Sequence, residues 1–189
     1  MFYKLKQLFG NFSVIKVLDH FIENPYQEYH LREIARTLKI SPSTAKAALN
    51  RLHKKKLVER REERNHVLYK ANMGDLTFKY IKIAHNLAWI EDIHLVEMVL
   101  EHAPTTTSIT LFGSYATGEN DMESDMDLVV ISGNKAKPAS EVSEKTGRDV
   151  NILAYTPESW EKESRSNRPL YLEVITKGIV LYGERPVIE

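Results

Sequence analysis

A twenty-residue segment, Leu111 to Val130, constrains the fold of this chain more than any other part of the sequence. An apolar run leads into Gly113-Ser114, a polar stretch follows, and a second apolar run begins after Asp125-Met126-Asp127. Because side chains two apart on a strand share a face, the two aspartates are expected to lie side by side, roughly 6.5–7 Å apart at Cα. The pattern predicts two strands joined by a tight turn and a polar loop, with two carboxylates where the second strand begins.

The residue types in this segment suit a metal-bound phosphate. Mg²⁺ is commonly held by one or two carboxylates together with the phosphates of a substrate. Glycine lets the backbone approach an anion closely, and a helix that starts at Ser114 would direct free N–H groups at it. Carboxylates that face such a turn indicate metal-assisted phosphoryl or nucleotidyl transfer. The alternative is an ordinary strand–turn–strand with a solvated acidic loop.

The segment resembles the signature of the DNA polymerase β-like nucleotidyltransferases, most closely their small, minimal members. Gly-Ser-x-Ala-x-Gly occupies residues 113–118, and Ser-Asp-x-Asp occupies residues 124–127. The resemblance extends over roughly residues 105–183. It implies a mixed β-sheet flanked by helices, and transfer of an NMP unit from an NTP such as ATP to a hydroxyl with the help of one or two Mg²⁺ ions. The residues implied for metal binding are Asp125 and Asp127, and those for nucleotide binding are Gly113, Ser114 and Gly118.

The resemblance also implies a third catalytic carboxylate on a later strand, and here the sequence departs from the pattern. The matching position is Asn151, and Asp149 lies two residues earlier on the same strand face. An amide oxygen can bind a metal but cannot act as a base. Either Asp149 replaces the missing carboxylate, or the site has only two. Arg148 is either a phosphate contact or an exposed residue at the end of the strand.

The charges of the chain are divided between its two parts. Residues 1–72 carry 15 Lys and Arg against 7 Asp and Glu, a net charge of +8, whereas residues 73–189 carry 11 against 19, a net charge of −8. This asymmetry indicates a basic part that faces nucleic acid and an acidic part that faces metal. The absence of cysteine excludes disulfides and thiolate metal sites. Without a long apolar run or a signal-peptide pattern, we expect a cytoplasmic protein that does not enter a membrane.

The basic part has the pattern of three helices followed by a hairpin. Apolar spacing predicts helices over residues 14–22 and 31–38, and a third over 41–56 that begins with a Ser-Pro cap. Residues 57–61 and 66–70 predict two strands around a charged tip. This order resembles a winged helix-turn-helix domain of the archaeal and bacterial regulator type. In such domains the third helix enters the major groove of double-stranded DNA.

The winged-helix resemblance implies a set of DNA contacts on the third helix and the wing. The residues implied for base contacts are Ser43, Thr44, Lys46 and Asn50. Those implied for phosphate contacts are Arg36, Arg51, Lys54, Lys55 and Lys56. In the wing, Arg61 and Arg64 are implied to reach either the DNA backbone or the minor groove. The alternatives are that the lysines are solvated cations that suit the helix dipole, and that the domain docks a protein instead of DNA.

These patterns predict an α+β chain of two domains. The winged helix is expected over residues 1–72, a helical link of one or two helices over 73–104, and the nucleotidyltransferase domain over 105–189. One function is an enzyme that modifies a protein, an RNA end or a small molecule. The other is a DNA-binding, antitoxin-like regulator whose degenerate transferase domain senses a nucleotide or docks a partner. A homodimer is also expected, because winged-helix regulators often read paired half-sites.

Overall fold

A computed structural model of the chain describes residues 12–63, 66–133, 142–144 and 147–188. The chain divides into two compact units, Met1–His85 and Asn86–Glu189, each with its own sheet. The predicted fold class, an α+β chain with an N-terminal helix-turn-helix region and a C-terminal mixed sheet, is confirmed. None of the described helices has both the length and the apolar character that a bilayer-spanning segment needs.

The first unit contains three helices and three short strands. In chain order they are α1 (Phe12–Glu23), β1 (Tyr29–His30), α2 (Leu31–Thr37), α3 (Pro42–Lys54), β2 (Val58–Glu63) and β3 (His66–Ala71). The strands form an antiparallel sheet in the order β1-β3-β2. Ser41 caps α3 as predicted, because its Oγ accepts a hydrogen bond from the Thr44 amide at 3.1 Å.

Two details of the first unit differ from the prediction. The sequence predicts no strand before the second helix, whereas Tyr29-His30 forms one and leads directly into α2, since Tyr29 pairs with Tyr69 of the hairpin. Glu62 and Glu63, expected in the hairpin tip, extend β2 because they pair with β3 residues. Arg64, implied as a wing contact, lies outside the described residues.

Two helices and then a four-stranded sheet make up the rest of the chain. The helices are α4 (Leu76–Asp92), which crosses the division between the units, and α5 (Leu95–His102). His94 separates them with a left-handed φ of +55°. The following elements are β4 (Thr106–Phe112), α6 (Gly113–Thr117), β5 (Met126–Ser132), β6 (Val150–Tyr155), α7 (Pro157–Ser166), α8 (Arg168–Lys177) and β7 (Ile179–Gly183).

The sheet of the second unit has the order β6-β5-β4-β7. β4 is antiparallel to β5 and β7, whereas β5 and β6 are parallel. Both faces of β5 are buried: Leu128 packs in a cluster with Ile90 of α4, and Val129 packs in a cluster with Val174 of α8. After β5 the sequence predicts a polar loop over 133–138 and a short helix over 139–146. Most of both segments lies outside the described residues, and residues 142–144 are helical.

Candidate active site and nucleic-acid interface

The two halves of the Leu111–Val130 motif meet at Gly113 and Asp127. Strand pairing places Phe112 opposite Asp127, so the turn that follows β4 lies beside the start of β5. Gly113 has φ +68°, and a Cβ atom at this position would lie 2.6 Å from Asp127 Oδ2. Glycine is therefore required here twice, for its backbone conformation and for the space that the carboxylate occupies.

Asp127 is held in a partly buried setting that disfavours its charge. Burial raises the pKa of its carboxyl above the ordinary value; a hydrogen bond from Asn151 opposes the rise, and the carboxylates of Asp125 and Glu173 add to it. The Asn151 side-chain N–H donates to Asp127 Oδ1 at 3.1 Å. A carboxylate held in this way gains from a bound cation, which would offset both the burial and the neighbouring negative charges.

Asp125 lies at the end of a structured loop, one residue before β5. Met126 lies between Asp125 and Asp127 and is buried in the core, so the side chains of the two aspartates point to the other side of the chain. The loop is shaped by Asp121 and Ser124: the Asp121 amide donates to Ser124 Oγ at 2.9 Å, and Ser124 Oγ donates to Asp121 Oδ1 at 2.9 Å. The Asp125 side chain itself is exposed.

The two residues predicted at the third-carboxylate position have different surroundings. Asn151 is in register with Asp127 across the parallel strands β5 and β6. Asp149 is exposed just before β6, and its main-chain oxygen accepts a hydrogen bond from the Met126 amide at 2.9 Å. Asn151 is thus the side chain that contacts Asp127, whereas Asp149 joins the site through its backbone.

Ser114 and Gly118 lie at the two ends of the short helix α6. The Ser114 side chain is half-buried, and its hydroxyl forms no hydrogen bond with another residue of the described ranges. Gly118 is buried, has φ +74° and ends the helix. Within the described ranges the Ser114 hydroxyl beside Gly113 is therefore available to a ligand, and Gly118 fixes the end of the turn.

On α3, the predicted DNA contacts fall on two surfaces. Lys46 lines an open pocket of about 820 Å³ together with Arg32 and Arg36 of α2 and Arg60 of β2. Arg51 and Lys55 lie instead on the side of α1, around a smaller, mainly apolar cavity. Of the remaining predicted contacts, the exposed ones are Ser43, Asn50 and Lys54, and the half-buried one is Thr44, whose hydroxyl contacts Ser41 Oγ at 2.8 Å.

The two arginines described in the wing point to different neighbours. Arg61 forms ion pairs with Glu28 and Glu63, each at 3.0 Å. Arg60 pairs with Glu62 and faces the pocket on the α2 side. The arginines that line this pocket, together with Lys46, place four cations around one opening, which Glu33 also lines. We call this group, Arg32, Arg36, Lys46 and Arg60, the basic pocket.

Comparison with protein families agrees with both parts of this geometry. A family described as nucleotidyltransferase domain matches residues 93–179, and the MarR family matches residues 12–66. The chain carries a nucleotidyltransferase domain preceded by a MarR-type winged helix. Both families implied by the sequence motifs are therefore confirmed. No curated protein matches the chain.

Among solved structures, this chain is similar to one described as a toxin–antitoxin with AMP-PNP. The identity is 23% over 48% of this chain and 72% of that one, with a TM-score of 0.40. Two mutants of the toxin–antitoxin MntA-HpeT are similar at 21% identity. The matches cover 49% and 50% of this chain and 73% of each of those chains, with TM-scores of 0.40 and 0.39.

The donor set of the nucleotidyltransferase domain fits a metal ion that arrives with a nucleotide. Among the described residues, no three His, Asp or Glu side chains form a group that could hold a metal by themselves. Asp125 and Asp127 supply carboxylate oxygens, and Mg²⁺ commonly completes its shell with water and substrate phosphates. The raised pKa of Asp127 fits the same arrangement, since a bound cation would favour the ionised carboxylate and lower its pKa.

Glu173 is a charged neighbour of the site that the sequence motifs do not identify. Asp127 lies on the same face of β5 as Val129, and that face packs against Val174 of α8. Glu173, the one acidic residue of α8, is half-buried and contributes to the raised pKa of Asp127. The sequence feature that could have identified Glu173 is its place between the buried residues Tyr171 and Val174. No motif, however, connects α8 to the aspartates.

Proposed function

We propose that the chain is a Mg²⁺-dependent nucleotidyltransferase that moves an NMP unit from an NTP to a hydroxyl acceptor. The observation that carries the proposal is the Asp127 carboxylate, which packs against Gly113, lies beside Asp125 and is partly buried. In this proposal Asp125 and Asp127 hold the metal, and Gly113 and Ser114 bind the triphosphate. Mg²⁺ would neutralise charge on the phosphates and favour loss of the acceptor's proton.

The reaction forms one bond and breaks another. The acceptor oxygen attacks the α-phosphorus, the bond from that phosphorus to the bridging oxygen breaks, and pyrophosphate leaves. The acceptor's proton needs a base. The Asn151 side-chain amide cannot act as a base, so its role is to orient Asp127 by donating a hydrogen bond to Oδ1. The carboxylates of Asp149 and Glu173 are the candidates for that base, the first from the sequence motif and the second from its place beside Asp127.

Titration calorimetry of each NTP with Mg²⁺ tests the donor site. We expect wild-type protein to bind at least one NTP, and Asp127→Asn and Asp125→Asn each to weaken that binding by about ten-fold or more, because each removes one of the two carboxylates that the protein supplies to the metal. Glu123→Gln is the matched control, since it removes an exposed carboxylate from the same loop. The proposal would be wrong if Asp127→Asn bound the NTP as tightly as wild type.

Label transfer from an α-labelled NTP then tests catalysis and separates the candidates for the base. If Glu173 accepts the proton, Glu173→Gln lowers the transfer rate while leaving NTP affinity near that of wild type. Asp149→Asn gives that result if Asp149 is the base. If both variants transfer label as fast as wild type, neither residue is the base. Whether label enters protein, RNA or a small molecule identifies the acceptor class.

We further propose that the winged helix binds double-stranded DNA, as the MarR-family match and the basic pocket suggest. Gel-shift and anisotropy assays at low salt test this separately from nucleotide transfer. If DNA binds but no NTP does, the regulator alternative is favoured, and the transferase domain then serves as a sensor or docking domain. If no duplex binds at low salt, the DNA proposal fails.

A further inference from the structure

Arg148 occupies a position that connects several parts of the nucleotidyltransferase domain. Its Nη1 atom donates to the main-chain oxygen of Met122 at 2.8 Å and approaches that of Asp121 at 3.5 Å. Its guanidinium lies over the ring of Trp89, 5.5 Å from the centroid. A cation over an indole face is attracted to it, and the stacking also limits where the guanidinium can go.

The contact with Trp89 shows which face of the sheet Arg148 occupies, and why it reaches these groups and not the aspartates. Val150 belongs to the core cluster on the α4 face of the sheet, and Arg148, two residues earlier, is directed to the same side, where Trp89 lies. Asp149 and Asn151 have the opposite parity, which is that of Asp127. Arg148 therefore approaches the loop before β5 from the face opposite the carboxylates.

Residues 148 and 149 attach this loop at two points. The Arg148 side chain binds the carbonyl of Met122, and the Asp149 carbonyl accepts from the Met126 amide at 2.9 Å. Asp125 lies between these attachments. Because its side chain is exposed and forms no hydrogen bond within the described residues, the position of its carboxylate depends on the loop backbone.

We propose that Arg148 is a positioning residue that holds the loop carrying Asp125 so that its carboxylate stays beside Asp127. This inference rests on the proposed function, because it concerns the metal–nucleotide site. Outer-shell groups that orient a metal ligand commonly change metal affinity by about 10–100-fold when removed. The alternative for Arg148, a direct contact with a phosphate, predicts a different dependence on metal.

Titration calorimetry of ATP, CTP, GTP and UTP, each with Mg²⁺ and again with EDTA, separates the two roles. For a positioning residue, Arg148→Met should weaken Mg²⁺-dependent NTP binding about ten-fold and leave binding in EDTA unchanged. In an Asp125→Asn background the same substitution should have less than about a two-fold effect, because contacts that act through one group are not additive. Arg165→Met is the matched control, since Arg165 pairs with Glu161 on the surface of α7.

Other outcomes decide against the proposal. Equal loss with Mg²⁺ and EDTA, or full loss in the Asp125→Asn background, would show a direct phosphate contact. Unchanged affinity of a folded Arg148→Met would also overturn it. If Arg148→Met does not fold, Arg148→Lys decides, with about a three-fold loss expected, because lysine keeps the charge but lacks the planar fork. Wild-type protein that binds no NTP would overturn the proposed function itself, a result seen before any variant is made.

Discussion

Asn151 and Asp127 stand opposite each other on parallel strands, and the asparagine donates its N–H to the carboxylate across 3.1 Å. An acidic residue is implied at this position by the nucleotidyltransferase signature, and an acid there would repel Asp127 in the absence of metal. The amide instead supports the ionised form of Asp127, against the burial that raises its pKa. The hydrogen bond offsets part of the cost of burying the Asp127 charge, and the site has one carboxylate fewer than the signature implies.

Asn151→Asp should make the metal-free domain less stable and should strengthen its binding of Mg²⁺. The new carboxylate removes the hydrogen bond and adds a like charge, so we expect the metal-free domain to lose about 1–3 kcal/mol. We expect added Mg²⁺ and NTP to raise its melting temperature more than that of wild type. Asn151→Ala is the control, because it loses the hydrogen bond without gaining charge. Equal Mg²⁺-induced shifts in Asn151→Asp and wild type would contradict this prediction.

Gly113→Ala should abolish nucleotide binding through a steric conflict with Asp127. Two costs are expected, a positive-φ strain of about 1 kcal/mol and displacement of the carboxylate by the new methyl group. Gly147→Ala isolates the first cost, because Gly147 has φ +65° and a methyl group added there would meet no atom within 4 Å. Chemical denaturation should show similar losses of stability from strain, while calorimetry should show lost NTP binding only for Gly113→Ala.

Salt dependence of DNA binding should distinguish the cations of the basic pocket from Arg61 of the wing. Arg36→Ala and Lys46→Ala each remove one pocket cation, so each should lower the slope of log K against log salt by about 1. Arg61→Ala should change the slope less, because Arg61 already pairs with Glu28 and Glu63. Fluorescence anisotropy over a series of salt concentrations measures all three. Equal slopes in Arg36→Ala and wild type would exclude the pocket from the DNA interface.

His20 should make the first unit less stable in mild acid. Burial lowers its pKa, and the carboxylates of Glu33 and Asp19 offset only part of that effect. The unfolded chain therefore takes up the proton more readily, and stability falls as the pH drops below about 6.5. His20→Phe keeps an aromatic ring beside Phe21 and Tyr29 and removes the titration.

Hydrogen exchange of the amides in α1 measures this effect, because it reports opening of the first unit. Between about pH 7.5 and pH 5.5, a range that includes the ordinary pKa of histidine, the opening free energy should fall more in wild type than in His20→Phe. The same fall in both proteins would assign the acid sensitivity to another group.

Local patterns were enough to predict much of the fold. The Ser41-Pro42 cap, the hairpin and the strands on either side of Gly113-Ser114 each depend on residues close together in the sequence, and each is present. The short strand Tyr29-His30 could not be predicted in the same way. Two residues carry no periodicity, and this strand exists only because Tyr69 is available to pair with it.

The site was predictable only as far as its motif reached. The motif in the sequence predicts that Asp125 and Asp127 lie together. The hydrogen bond from Asn151 to Asp127 could not be predicted in this way, because the two residues are 24 positions apart and meet only through the parallel pairing of their strands. Glu173 is further along the chain and reaches the site because α8 packs on the Asp127 face. Arg148 has the same limitation, since its partners are main-chain carbonyls that carry no sequence signal.

The contact between Gly113 and Asp127 has a consequence for how this domain can diverge. A carboxylate oxygen fills the space that a side chain at position 113 would need, so position 113 cannot gain a side chain while Asp127 is kept. Relatives that have replaced the aspartate with a smaller residue are released from the steric part of this restriction, although the positive φ still favours glycine or asparagine. Paired substitution at these two positions would therefore mark lineages in which the domain has given up chemistry and kept its fold.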